Sequence, residues 1–458
     1  LAKLWHKDYE LNELVEAFTV GEDHVLDMGL LKADCVASIA HAHMLASIGI
    51  LSQGEYTALK KELLSLIKLH EKGGFAIKVS DEDCHTAIEN YLVEKLGTAG
   101  KKIHTGRSRN DQVIAALRLY ARDFLLQFRT TCVTLIGSLL EFAKKHESVP
   151  MPGRTHMQIA MPSSVGLWAL AYAEGLSDDL MLVDTAYTLN DMCPLGSAAS
   201  YGVPLPLDRE MVSGLLGFSK LQNNVLYVNN SRGKIESIII DALEQVLLTL
   251  SKCAQDLILF SMPEFGYFTL PKELCSGSSI MPQKKNPCGL ELLRAKTAAV
   301  SAHAAQIKNI IKALPSGYNR DFQETKPPFM RGLSTALACA EVMNLTIIKL
   351  VVNEENLMKG FTPEIYATDA ALELVKKGMP FRDAYKQVGL HLDKLESYDP
   401  GLIIKAKTSS GNTGNLGAEI TERILQRKTK DYAAENARIN EVLERLLGFR
   451  PRLFAMVF

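Results

Sequence analysis

From about Asn110 to His146, apolar residues return every third or fourth position: Val113, Leu117, Tyr120, Phe124 and Phe128. That spacing lays one apolar stripe along an α-helix, and only Gly137 interrupts it. Four similar runs follow, from Ser163 to Leu189, Ser231 to Leu259, Cys288 to Leu314, and from Pro327-Pro328 to about Asn353. In the third run the stripe is Ile235, Ile239, Leu243, Val246, Leu250, Cys253 and Leu257. A run of roughly 30 residues makes a helix about 45 Å long, where the usual globular helix has about 11–12 residues. Five such helices in one chain leave room for one architecture, an all-α elongated bundle.

Several stripes are apolar on more than one side, as at Ile238-Ile239-Ile240 and Leu247-Leu248. The bundle therefore needs partner surface, which further copies of the chain supply; a monomer with extra covering helices is the alternative. At 458 residues with 47% hydrophobic residues, the chain suits two to three domains with a large core. The polar stretch Lys101–Asp111 ends an N-terminal helical region, and another begins near Leu357-Met358-Lys359-Gly360. The expected division is 1–106, a central bundle over 107–356, and 357–458. The last reads as shorter helices, such as Asp369–Lys377 and Phe381–Leu392, with a loop over Lys407–Asn415.

The 51 basic and 52 acidic residues leave a net charge of −1, so no global field attracts nucleic acid or membrane. No apolar run is long enough to span a bilayer, and the first eight residues lack a signal-peptide core. The eight cysteines are scattered, without a C-x-x-C pair or zinc-type spacing, as expected of reduced thiols in a cytoplasmic protein.

Three polar clusters sit at expected helix ends. The first is His104-Thr105-Gly106-Arg107-Ser108-Arg109-Asn110-Asp111-Gln112. Arginine grips carboxylates bidentately and a helix N-terminus adds N–H groups, although an N-cap with solvated arginines gives the same pattern. The second is Gly153-Arg154-Thr155-His156-Met157-Gln158-Ile159-Ala160-Met161-Pro162. Its histidine titrates near neutrality and can move protons, but a lone histidine is commonly structural. The third is Gly277-Ser278-Ser279-Ile280-Met281-Pro282-Gln283-Lys284-Lys285-Asn286-Pro287. Two hydroxyls, ammonium groups and a carboxamide between two prolines make a loop suited to an anion whose charge grows during reaction.

Together the three clusters resemble, in order and spacing, the separated signatures of the fumarase/aspartase superfamily. Gln283-Lys284-Lys285 places the third nearest the argininosuccinate lyase and delta-crystallin branch. Leu4-Trp5, Gly317–Lys326 and Lys377–Tyr385 carry the same resemblance. Taken alone, Tyr318–Lys326 reads equally as an inter-helix loop, and Lys377–Tyr385 as a helix start with no chemistry.

The resemblance implies a homotetramer with a twenty-helix core, and active sites each assembled from three subunits. It implies no cofactor and no metal. The implied reaction is the last step of arginine biosynthesis: reversible cleavage of argininosuccinate to arginine and fumarate through an aci-carboxylate carbanion. His156 and Ser278 match the residues that move protons, and sequence leaves open which is base and which is acid. Lys284 and Asn286 match residues that stabilise the carbanion's carboxylate, and Glu291 matches the glutamate that pairs with the histidine. Ser108, Arg109, Asn110 and Thr155 match substrate-binding residues, as do Tyr318, Gln323 and Lys326 around the arginine moiety. His85 matches a histidine near the site, with a core or cap role equally open.

Three departures stand out. Phe18–Asp23 replaces an Asn-x-Ser, leaving Asp23 as the polar group there. Asn230-Ser231-Arg232-Gly233 replaces Ser-x-Arg-Asp, leaving Arg232 without its acidic neighbour. Arg154 and Met161 stand where relatives often have Tyr and Gln. A silent delta-crystallin-like structural protein and another fumarate-releasing lyase are the competing readings.

Overall fold

The computed structural model describes residues 12–457; the Leu4-Trp5 pair lies outside them. Each apolar stripe forms a helix. The five bundle helices are Arg109–Lys145, Val165–Asn190, Lys234–Phe260, Cys288–Ile311 and Lys326–Lys349. The first packs against the second and fifth, and the third against the second, fourth and fifth. Leu117, Phe124, Phe128, Ile239, Leu243, Val246, Leu333 and Leu337 are among the buried side chains that fill the seams.

Local chemistry sets the ends. Ser108 and Ser164 cap the first and second helices through their hydroxyls. The fifth helix begins at Lys326, one residue before Pro327-Pro328, so both prolines occupy its first turn, where a missing N–H costs least. The third starts at Lys234 because Gly233 adopts φ 76°. A Cβ on Gly233 would lie 2.4 Å from Ile311 Cγ2. Left-handed backbone and close packing together favour glycine there over an aspartate.

Helices Asp23–Ser47, Gln53–Glu71 and Cys84–Leu96 pack together, and the first of them lies on bundle helix one. After the bundle come Ala367–Lys376, Phe381–Gly389 and Pro400–Ala406, short as expected. The chain then forms a 30-residue helix, Ala418–Leu447, that the sequence reading did not foresee. It returns to pack on bundle helices one and two. Ile439, Leu443, Leu446 and Leu447 join the core, and nearer its middle the seam is polar: Asp184 takes Arg129, Lys428 and Tyr432, with the Arg129 guanidinium 4.2 Å from the Tyr187 ring and 4.3 Å from that of Tyr432.

Among the described residues, strand is confined to three two-stranded pairs. None was expected; in the longest, Pro150–Thr155 and Gln158–Ser164 form an antiparallel hairpin between bundle helices one and two. Phe268–Thr269 pairs with Val351–Val352, which ties the segment after helix three to the end of helix five.

Candidate active site

The bundle separates the polar clusters. Helix one, with 37 residues, spans about 55 Å. Arg109 opens it, and the His156 hairpin follows its far end. Helices three and five begin at the Arg109 end, so their last turns lie beside the hairpin.

At the Arg109 end the groups interlock. Ser108 accepts from Asn110 N at 3.2 Å, and its own N–H donates to Asp111. The Arg109 guanidinium is held by Glu82 at 3.0 Å and Asp83 at 3.4 Å, and donates to Thr86 Oγ1 at 2.6 Å. Lys326, only 2% exposed, places its ammonium 2.6 Å from Asp27 and 3.0 Å from Asp23. Asp27 also accepts from Cys84 N at 3.1 Å. His85 meets Asp34 at 2.8 Å. Gln323 donates to Thr19 O at 3.0 Å. Tyr318, half exposed, lies 5.6 Å from the buried Arg232 guanidinium. Thus Asp23, His85, Ser108, Arg109, Asn110, Arg232, Tyr318, Gln323 and Lys326 share one end of the protomer.

Electrostatics there follow burial and pairing. Burial alone would raise Asp27, but Lys326 and then His85 outweigh it and hold the carboxyl below its usual value. Burial raises Asp23 despite Lys326. Burial would lower His85, yet Asp34 lifts it above the ordinary range. His104 is pushed down to about 4 by burial and then by Arg107 and Arg109.

Asp27, Cys84 and His85 bring potential ligand atoms within 4.8 Å of one another. Both Asp27 oxygens are already engaged, by Lys326 and by the Cys84 N–H, so this group reads as part of the ion-pair network. Sequence reasoning missed Asp27 altogether. The available signal was its position one helical turn after Asp23, on the face toward Lys326.

At the opposite end stand Thr155, His156, Ser278, Lys284, Asn286 and Glu291. His156 is exposed at the hairpin tip, where it and Met157 adopt φ 53° and 63°. Two consecutive left-handed residues fit a type I′ turn. The loop carrying Ser278 is closed at its stem by Ser276 and Asn286, which exchange backbone hydrogen bonds of 3.0 and 2.9 Å. Asn286 Nδ2 donates to Gly277 O at 3.2 Å. Ser278 Oγ accepts from Met281 N at 3.1 Å and Ile280 N at 3.4 Å. Lys284 and Glu291 are exposed. Among the described residues no ion pair joins Glu291 to His156, and no hydrogen bond joins the His156 turn to the Ser278 loop or either to the Arg109 end.

This geometry is that of a long-helix bundle whose polar helix ends are shared out along its length, and comparisons with known proteins place it among lyases. A family model described as Lyase matches residues 9–302, well over half the chain, and one described as Argininosuccinate lyase C-terminal matches 364–399. The second span includes the Lys377–Tyr385 segment. Argininosuccinate lyases from Thermotoga neapolitana, Sorangium cellulosum and Phocaeicola vulgatus are 45%, 44% and 42% identical. These matches cover 84%, 93% and 97% of this chain and 97%, 99% and 99% of the relatives. The chain belongs to the argininosuccinate lyase family.

Solved structures give the same fold at lower identity. An EDDS lyase in complex with formate aligns with TM-score 0.78 and 21% identity, covering 96% of this chain and 97% of that one. A class II fumarase from Schistosoma mansoni aligns with TM-score 0.69 and 16% identity, covering 84% of this chain and 94% of that one.

Proposed function

We propose that the protein cleaves argininosuccinate to arginine and fumarate in the cytoplasm, in active sites built from three subunits of a homotetramer. The observation that carries the composite site is the separation within one protomer. Arg109, Tyr318 and Gln323 sit at one end of a helix about 55 Å long, and His156 and Ser278 at the other. Exposed apolar side chains on four bundle helices supply the assembly surface: Met181, Leu182, Leu248, Leu292, Val342, Leu345 and Ile348.

In the cleavage, the C–H bond beside a carboxylate breaks and its electron pair spreads into that carboxylate. The C–N bond then breaks as the carbon–carbon double bond forms, and the departing guanidino nitrogen gains a proton. The weakly acidic C–H makes stabilisation of the doubly charged carboxylate a major requirement. Lys284 and Asn286 serve it. Ser278 takes the proton: the N–H groups of Met281 and Ile280 face its oxygen and favour the alkoxide that a serine base requires. His156 serves the leaving nitrogen, and Glu291 of a neighbouring copy orients it. Ser108, Arg109, Asn110 and Thr155 hold the fumarate moiety. Tyr318 and Gln323 hold the arginine moiety, with Asp23, Arg232 and His85 around them. Lys326 acts from beneath this end, with its charge balanced by Asp23 and Asp27.

Fumarate release is followed by ultraviolet absorbance with argininosuccinate, adenylosuccinate, aspartate and malate in parallel. Turnover of argininosuccinate alone is expected. Turnover of another member instead identifies a different lyase, and no turnover of any identifies a silent structural protein.

A further inference from the structure

The His156 turn is poorly supported by its own residues. Two consecutive side-chain-bearing residues hold positive φ, a conformation that favours glycine or asparagine. The Met157 side chain is 58% exposed. Among the described residues no hydrogen bond holds the His156 imidazole. Opposite Gly153 the returning strand carries an extra residue, since the pairing shifts between Pro152 and Arg154. That bulge twists the tip away from a regular ladder.

One side chain grips the tip. Arg154 Nη1 donates to Met157 O at 3.3 Å, closing the turn from below. Arg154 Nη2 donates to Tyr267 OH at 3.2 Å, and the guanidinium lies 4.8 Å from the Phe265 ring. Phe265 and Tyr267 belong to an aromatic cluster with Phe260 at the end of bundle helix three. Tyr267 is 2% exposed. Its hydroxyl is further confined by Gly360, where a Cβ would come within 2.6 Å of it. The platform is therefore rigid, and the chain continues from it through Phe268–Thr269 to the stem of the Ser278 loop at Ser276.

We propose that Arg154 is a positioning residue for His156. It stabilises the left-handed Thr155–Gln158 connection against the Phe265–Tyr267 platform and so sets where the imidazole meets the substrate. This rests on the lyase reading above. A misplacement of about 1 Å costs about 10²-fold in rate, so loss of the grip should appear in kcat while substrate binding at the far end of the bundle persists.

The test compares Arg154→Met, Met157→Gly and the double variant, each as assembled protein with its melting temperature measured. Arg154→Met is expected to lower kcat about 10-fold to 10²-fold with KM within about twofold. Met157→Gly alone stays near wild type, and in the double variant it restores most of kcat, because glycine holds positive φ without help. Unchanged kcat in Arg154→Met, or no recovery in the double variant, overturns the proposal. If Arg154→Met does not assemble, Tyr267→Phe removes one of the two hydrogen bonds and should show a smaller loss with the same rescue; no loss there overturns it. Wild-type protein without lyase activity defeats the reaction reading instead. Hydrogen exchange over residues 153–160 then decides: faster exchange in Arg154→Met, slowed again in the double variant, supports the grip, and unchanged exchange ends it.

Discussion

The two ends of the bundle are built on opposite principles. At the Arg109 end, charges are buried and paired within one chain: Lys326 with Asp23 and Asp27, His85 with Asp34, Arg109 with Glu82 and Asp83. At the His156 end, His156 stands exposed on a hairpin tip and Ser278 and Asn286 half-buried on a loop, and among the described residues no hydrogen bond joins the two. The contrast is what the proposed shared site calls for: one end of the chain is built complete, and the other waits on a neighbouring copy. Preorganisation within the protomer costs desolvation, which dense pairing offsets. In the proposed tetramer, groups that wait for a neighbour stay in water until assembly covers them.

Removing the reacting groups gives the largest expected effect. Ser278→Ala and His156→Asn should each lower kcat by about 10²–10⁴-fold while KM stays within a few fold, measured by steady-state fumarate release. Either variant keeping near-normal kcat would break the assignment of chemistry to that end.

The buried end should respond in stability. Lys326→Met strands Asp23 and Asp27, and denaturant unfolding is expected to lose about 3–5 kcal/mol. A loss below about 1 kcal/mol would mean that water reaches this network and that the two ends are not so different.

The separation itself is tested by mixing. Arg109→Ala and Ser278→Ala chains, each inactive alone, should regain measurable fumarate release after co-refolding, because some sites then combine an intact Arg109 from one chain with an intact Ser278 from another. No recovery under conditions where wild type reassembles would place each site within one subunit.

The smallest effect is a pH dependence confined to the buried end. Asp34 raises the folded His85 above its ordinary 6.5 against the opposing pull of burial. Its contribution is therefore complete below about pH 6.5 and is lost as pH rises through the folded value. Asp34→Asn should flatten that part of a stability profile recorded by thermal melts across neutral to alkaline pH. An unchanged slope would show that another pair carries it.

Periodicity made the five helices legible because each buries a stripe, and their ends followed from Ser108, Ser164 and the two prolines. The helix over 418–447 escaped because its buried positions are sparse in its first half. It is held instead by Asp184, Arg129 and Glu435, which reach it from across the fold or from its own polar side. The hairpin escaped because Pro150, Pro152, Gly153 and Pro162 read as breakers, and positive φ at His156 leaves no mark in residue type. Asp27 escaped because a carboxylate one turn from another resembles a solvated face until Lys326, some 300 positions later, is seen beneath it. The candidate residues stood out as motifs; their distribution over two ends is a property of helix length.

That length has a kinetic consequence. With sites shared between subunits as proposed, a chain released from the ribosome or from denaturant finishes its helices by a first-order process and still turns nothing over. Activity must then appear with a higher order in protein concentration, lagging the helical signal and lagging more as the solution is diluted. On the proposed assembly, bundle helix one acts as a spacer that makes catalysis report on encounter between chains, and the newly folded protomer is silent by construction.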